Sequence, residues 1–389
     1  MTRLRYLTAG ESHGPQLTAI VEGCPSRLPL RSDDIDRDLA RRQLGYGRGD
    51  RQAIERDRVR IVSGVRYGRT TGAPVTFVIE NRDHANWGEK LAVDEPAVRA
   101  EALRAPRPGH ADLGGALVYG VDDLRDVIER ASARETAARV AVGALARRLL
   151  AEIGCRVASH VVAIGGVRSA ATFGEGLTIE EILRAEDDAV RCLDPEASLA
   201  MRAAIDDARE RGDTLGGVVE VVAVGYPPGV GSYAQADRRL GGRLAATVMS
   251  INAIKGVEVG LGFAAATTPG SAFQDEILYS EERGYYRQTN RAGGIEGGIS
   301  TGAPIVVRAA MKPISTLMKP LRTVELGTHR AVEAHVERSD VCAVPAAGVV
   351  AEAAVAFALA AAALERFGGE SLAELVAAVD ACRERARTL

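Results

Sequence analysis

Histidine is scarce in this chain, with six among 389 residues. Aromatic residues make up 4%, with a single tryptophan, Trp87. So few rings leave little to stack on nucleobases. A net charge of −3 supplies no field to gather nucleic acid or an anionic membrane. The five cysteines (Cys24, Cys155, Cys192, Cys342, Cys382) are widely spaced and include no Cys-x-x-Cys. That pattern argues against a disulfide framework or a zinc site and fits a reducing cytoplasm. No paired-histidine spacing points to a metal. No Gly-x-Gly-x-x-Gly follows a strand and opens a helix with an acidic residue beyond it, so the dinucleotide fingerprint is missing. The first residues run into a polar loop without a signal peptide's apolar stretch. One long apolar run, about Val341 to Leu364, holds Glu352 and is mostly alanine. It reads as a buried helix, not a membrane span.

What is abundant is glycine, at 42 residues, in a chain that is 46% hydrophobic and 26% charged. This is ordinary for a soluble globular protein with a large core. No low-complexity linker divides it. Strands are expected at Arg5–Thr8, Leu17–Glu22, Val59–Val62, Val75–Ile79, Val157–Gly165, Gly216–Gly225 and 305–310. Ser32-Asp33-Asp34 should cap a helix carrying Ile35, Leu39 and Leu44 on one face. A second helical stretch, Asp122 to Ile153, contains Ser132-Ala133-Arg134-Glu135, the form of a capping box. The helix is therefore expected to break near Arg130 and restart at Ser132, presenting backbone N–H groups to an anion. Further helices are expected at Arg238–Ala253 and 345–367, and His329 and His335 are placed on another. Thr71-Gly72-Ala73-Pro74-Val75 echoes Thr301-Gly302-Ala303-Pro304-Ile305, and Leu17–Pro29 loosely echoes Gly217–Pro228. These echoes hint at two similar halves, about 1–150 and 200–389, packed as one domain.

Two of the histidines share a glycine-bounded polar context: His13 in Gly10-Glu11-Ser12-His13-Gly14, and His110 in Pro108-Gly109-His110-Ala111-Asp112. Imidazole both gives and takes a proton near neutral pH, and flanking glycines let backbone approach a ligand. Arginines collect near similar loops. Arg41, Arg42 and Arg48 flank Gly45-Tyr46-Gly47-Arg48-Gly49-Asp50, Arg107 precedes His110, Arg130 and Arg134 sit at the expected restart, and Arg338 precedes Asp340. Forked guanidinium groups suit a substrate with several anionic groups. Arg147, Arg148 and Arg209 read instead as solvated helix faces. Gly293-Gly294-Ile295-Glu296-Gly297-Gly298 followed by Met311-Lys312-Pro313-Ile314-Ser315-Thr316 has the makings of a flavin cradle. Asp340 reads as a helix N-cap that also suits proton relay, and Cys342 as buried and inert.

These motifs, in this order, resemble the chorismate synthase family. The resemblance rests on Ala9-Gly10-Glu11-Ser12-His13-Gly14, the Gly45–Gly49 loop, Arg107–Asp112, Arg130–Thr136, Asn290–Gly294, Met311–Thr316 and Arg338-Ser339-Asp340. It implies an α+β single-domain β-α-β sandwich, with central helices flanked by antiparallel sheets, assembled as a cytoplasmic homotetramer. It implies conversion of 5-enolpyruvylshikimate 3-phosphate to chorismate and phosphate, the last step of the shikimate pathway, by anti-1,4-elimination. That reaction depends on reduced FMN, with NADPH entering only indirectly, for flavin reduction by this chain or a separate flavin reductase. Catalytic roles carry over to His13 (leaving phosphate), His110 (beside the reduced flavin) and Asp340 (proton loss, through Ser12 or Ser132). Substrate contacts carry over to Arg42, Arg48, Arg107, Arg134 and Arg338. Cofactor contacts fall at Arg130, Ala131, Ser132, Asn252, Ala253, Gly297, Lys312, Pro313, Ile314, Ser315, Thr316 and Arg338, and also at Arg42 and Arg48 for a nicotinamide nucleotide. Asn252 stands where relatives often carry glutamine. The competing expectation is a flavin oxidoreductase with net NADPH consumption. A third is a non-enzymatic phosphometabolite- or RNA-binding protein.

Overall fold

Alternation along Gln16–Glu22 buries Leu17, Ala19 and Val21 and turns Thr18, Ile20 and Glu22 outward. This strand pairs antiparallel with Arg5–Ala9 and Val75–Glu80, and Val59–Ser63 completes a four-stranded sheet. The structure is a computed structural model that describes residues 4–49, 55–96, 99–337 and 339–389. A second, five-stranded antiparallel sheet runs Ile254–Val259, Ile305–Met311, Gly217–Val224, Arg156–Ile164, Val167–Arg168. Its two central strands, Arg156–Ile164 and Gly217–Val224, are largely apolar, while His160, Glu220, Arg308 and Glu258 form a polar row across the sheet. On the outer face, Ala158, Val222 and Val306 pack under Ile179 and Ile182 of the short Ile179–Leu183 helix. The fold is thus a mixed α+β architecture.

Its centre is a pair of helices, Thr136–Glu152 and Val344–Phe367. The first packs on the Gln16–Glu22 strand, the second on Arg156–Ile164 and Gly217–Val224, and the two lie against each other in one core. Their axes approach closely because Gly143 faces Ala353: a Cβ there would lie 2.2 Å from the Ala353 Cβ. Val344–Phe367 is long and apolar enough to span a membrane, yet 94% of its apolar window is buried in the protein. As expected, it is a core helix. Glu352, at its middle, accepts from Ser159 Oγ at 2.7 Å and meets Arg41, Arg147 and Arg191 at 2.8–3.2 Å. Burial pushes its carboxyl up, but the three guanidinium groups outweigh that and hold it down at about 2.

Each sheet has its long strands in the order first, second, fourth, third along the chain. In each, a Thr-Gly-Ala-Pro turn opens the fourth strand, with φ of 85° at Gly72 and 88° at Gly302. The registers correspond as well: Val75 pairs with Val21, and Ile305 with Ala223.

Several expectations need correction. Leu44 falls just past the Ser32–Gln43 helix and is exposed, and the N-cap is Arg31, whose N–H donates to Asp34. The break at Ser132 is real: Arg125–Ala131 ends there and Thr136–Glu152 follows a 3₁₀ turn. No capping box closes it, because Glu135 accepts from Thr8 and Arg139 instead. Arg147 is not a solvated face; it reaches Asp38 and Glu352. His329 sits in a turn with φ 57°, and His335 follows the Ala331–Glu333 strand, so neither is helical.

Candidate active site

Three glycines lay the first arginine loop against the segment leading into the long central helix. A Cβ would lie 2.9 Å from Pro345 at Gly45, 3.0 Å from Cys342 at Gly47, and 2.9 Å from the Ser339 carbonyl at Gly49. The Gly47 carbonyl accepts from the N–H groups of Val341 and Cys342. This seam fixes Arg48 Nη1 2.8 Å from Asp340, while Asp340 Oδ1 accepts from the Gly49 N–H at 2.7 Å. Asp340 is therefore not the N-cap of the central helix. Ala343 takes that position and Asp340 faces the loop. Cys342 is fully buried, and burial lifts its thiol to about 11, so it is unsuited to act as a nucleophile.

Next to this seam Arg42 and Arg134 share one buried carboxylate, Asp57, at 2.9 and 2.7 Å. Arg134 Nε donates to Asn81 Oδ1 at 2.9 Å. Burial lowers Arg42 to about 10, opposed by Asp57 and aided by Arg134 and Arg48. It stays cationic at neutral pH. Arg42 Nε, Arg48 Nε and Arg134 Nη2 are buried without a hydrogen-bond partner among the described residues. Unmet buried donors on cations mark a place for an anion.

The two motif histidines stand in the same cleft with different partners. His13 Nδ1 lies 2.9 Å from Glu129 Oε1, and its backbone N–H donates to Glu129 Oε2 at 2.8 Å. Its ring stacks on Trp87, with centroids 4.0 Å apart and planes inclined at 16°. Lys90 and Arg125 also lie over the indole, 4.8 and 5.1 Å from the ring centroid. His110 hydrogen-bonds Asp112, which also accepts from Arg107 Nε at 2.9 Å. Burial pushes the Asp112 carboxyl up, but the bonds from His110 and Arg107 hold it well below the usual carboxylate range. Arg107 extends to Thr316 Oγ1 at 3.0 Å.

The cleft has a volume of about 720 Å³ and is walled by both halves of the chain. Ser132 Oγ donates to Ser12 Oγ at 3.1 Å, joining the helix break to the first histidine loop. Asn252 donates to the Ala131 carbonyl at 3.1 Å. Lys312 bonds Ser315 Oγ at 2.9 Å and the Gly109 carbonyl, which ties the Lys312–Thr316 strip to the second histidine loop. Burial and Lys255 both lower the Lys312 ammonium. Among the described residues no group of His, Cys, Asp and Glu has the arrangement of a metal site.

The sequence profile of the family described as chorismate synthase matches residues 4–364. The chain belongs to this family. A chorismate synthase from Bacillus cytotoxicus is 56% identical over 375 residues, 95% of this chain and 96% of its own. One from Geobacillus thermodenitrificans is 55% identical over 389 residues, 99% of this chain and all of its own. A crystal structure of a chorismate synthase superposes with a TM-score of 0.80 at 42% identity, covering 99% of both chains. Chorismate synthases are lyases, and by family this chain is an enzyme of that kind.

Of the residues expected from the family resemblance, the cleft brings together His13, His110, Asp340, Arg42, Arg48, Arg107, Arg134, Ala131, Ser132, Asn252, Ala253 and Lys312 to Thr316. It does not bring Arg130, which is exposed and donates to Thr8 and the Gly10 carbonyl. Gly297 lines a separate hollow with Arg239 and Phe273. Arg338 lies outside the described residues. Sequence reasoning missed Asp57, Trp87, Glu129, Arg125 and Glu337. Glu129 had a signal, because it directly precedes Arg130 and lies one turn after Arg125. Asp57 had none, since Arg42 and Arg134 are distant in sequence, and the stacking of Trp87 on His13 joins residues 74 positions apart.

Proposed function

We propose that this chain converts 5-enolpyruvylshikimate 3-phosphate to chorismate and inorganic phosphate by anti-1,4-elimination, using reduced FMN, as the last step of the shikimate pathway. The observation that carries this reading is the set of four arginines, Arg42, Arg48, Arg107 and Arg134, converging on one cleft, three of which, Arg42, Arg48 and Arg134, keep a buried guanidinium donor without a hydrogen-bond partner among the described residues. A substrate with one phosphate and two carboxylates matches that set.

The donor set also fits a flavin. The Lys312–Thr316 strip, Ala131, Ser132, Asn252 and Ala253 offer hydroxyls, backbone groups and one ammonium along a single wall. These residues would hold it. Reduced FMN supplies transient electron density to the substrate and is not consumed. The remaining work belongs to the chain. The arginines bind and orient the three anionic groups of the substrate. His13 meets the charge that develops on the departing phosphate as the C3–O bond breaks. Asp340 is the acceptor for the C6 proton, with Ser12 and Ser132 as the hydroxyl link. His110, held by Asp112, places an imidazole beside the flavin-binding strip.

We also read the fold as a β-α-β sandwich of two similar halves in one domain. The recurring strand order and the matched Thr-Gly-Ala-Pro turns support this. A cytoplasmic location fits the free cysteines, four of them buried, and the homotetramer is part of the same family reading. Reduction of the flavin, by this chain with NADPH or by a separate reductase, is part of the same reading.

The deciding experiment is anaerobic. Protein, chemically reduced FMN and 5-enolpyruvylshikimate 3-phosphate are mixed, and phosphate and chorismate are followed. Equal amounts of both, with the flavin still reduced, are expected. Oxidation of the flavin in step with product, and steady NADPH consumption when NADPH is then supplied, would instead mark a flavin oxidoreductase.

A further inference from the structure

We propose that Glu129 is a positioning residue for His13, fixing Nδ1 as the proton-bearing nitrogen and balancing charge on the ring as Nε2 exchanges a proton. This rests on the function proposed above for His13.

The geometry is specific. Glu129 sits in the last turn of Arg125–Ala131 and is 2% exposed. Its two oxygens lie 2.9 and 3.0 Å from His13 Nδ1, and Oε2 also accepts the His13 backbone N–H. The Ser12 N–H donates to the Glu129 carbonyl at 2.9 Å. Three contacts therefore lock the histidine loop to one residue. A carboxylate accepts only, so the ring nitrogen facing it is the one that carries hydrogen. The same logic orients histidine in other acid–base and metal sites.

Charge supplies the second argument. A buried carboxylate needs a cationic or strongly donating partner. Arg125 is the nearest guanidinium, yet it lies 3.5 Å from Glu129 and 2.6 Å from Glu337. Its main partner is Glu337, which also meets His335 at 3.2 Å. His13 is thus the close donor to Glu129. The other groups facing the imidazole are Asp83, with Oδ2 4.0 Å from Nε2, and His84, whose Nδ1 lies 2.9 Å from the His13 carbonyl. Lys90 and Arg125 lie 4.8 and 5.1 Å from the centroid of the Trp87 ring that stacks on the imidazole.

The test uses the full-length protein with ¹⁵N-labelled histidine, in Glu129→Gln and Glu129→Leu. The Gln side chain keeps an oxygen acceptor without charge, and Leu removes both. Three signals are read: the His13 ring nitrogen shifts, the fluorescence of Trp87 and anaerobic turnover. Trp87 is the sole tryptophan and is stacked on His13. Expected are a retained Nδ1–H in Glu129→Gln and a move of the proton toward Nε2 in Glu129→Leu, with altered Trp87 emission. Turnover should fall on the order of 100-fold in Glu129→Gln. Unchanged His13 nitrogen signals in Glu129→Leu, or wild-type turnover in Glu129→Gln, would overturn the proposal. If Glu129→Leu does not fold, turnover of Glu129→Gln decides it. If wild-type protein makes no chorismate, the functional reading fails, while the nitrogen signals still report on Glu129.

Discussion

The Arg48 guanidinium lies 2.8 Å from the Asp340 carboxylate, joining the glycine loop after the first long helix to the segment before the central one. Asp340→Asn keeps an acceptor for the Gly49 N–H and removes the charge that faces Arg48. If Asp340 takes the C6 proton, turnover should fall by about 10²–10⁴ while the circular dichroism spectrum stays that of the folded protein. A wild-type rate under anaerobic assay would remove Asp340 from the chemistry.

His110→Ala should reduce turnover by on the order of 10²–10⁴ and leave the circular dichroism spectrum intact. Asp112 and Arg107 remain bonded to each other in that variant, so the loop keeps its anchor. Near-normal turnover would show that His110 merely packs beside Arg107.

Gly47 adopts φ 90°, and a Cβ there would press on Cys342 and Ile205 at 3.0 and 3.1 Å. Gly47→Ala should therefore cost about 1–3 kcal/mol of stability and displace Arg48. Denaturant unfolding and KM for the substrate should both change. A variant with unaltered midpoint and KM would mean the loop is not set by this contact.

Glu352 provides a pH test. Its folded carboxyl is depressed from 4.5 to about 2. A depressed carboxyl stabilises the fold above its unfolded value and loses that contribution as the pH falls. The contribution here is on the order of 3 kcal/mol, lost between pH 4.5 and about 2. Glu352→Gln should be less stable than wild type at neutral pH, and the gap should close toward pH 2. Parallel stability curves across that range would contradict the assignment.

Much of the site was readable in the chain because its residues sit in short glycine-marked motifs. His13, Arg48, Arg107, His110 and Lys312 each lie beside a glycine or proline that shapes the local backbone. Asp57 and Glu129 were harder to see. Each is an acid whose role exists only once a distant arginine or histidine folds onto it. Arg147 was misread for the same reason, since a helix-borne arginine looks solvated until Glu352 is brought beneath it. The strands followed from alternation and β-branched runs. His329 and His335 were misplaced because a three-residue strand leaves too few positions to show a period.

The central helix is also the last major piece of the core to be made. Both sheets and the Thr136–Glu152 helix precede Val344–Phe367 in synthesis. Until it emerges, the apolar faces of the 156–164 and 217–224 strands lack the helix they pack against. Exposed apolar strand faces of this kind favour aggregation of a nascent chain until residues 344–367 have left the ribosome. Ribosome stalling ahead of residue 344 should therefore yield chaperone-bound, protease-sensitive chains, and release of the helix should convert them to resistant ones in a single step.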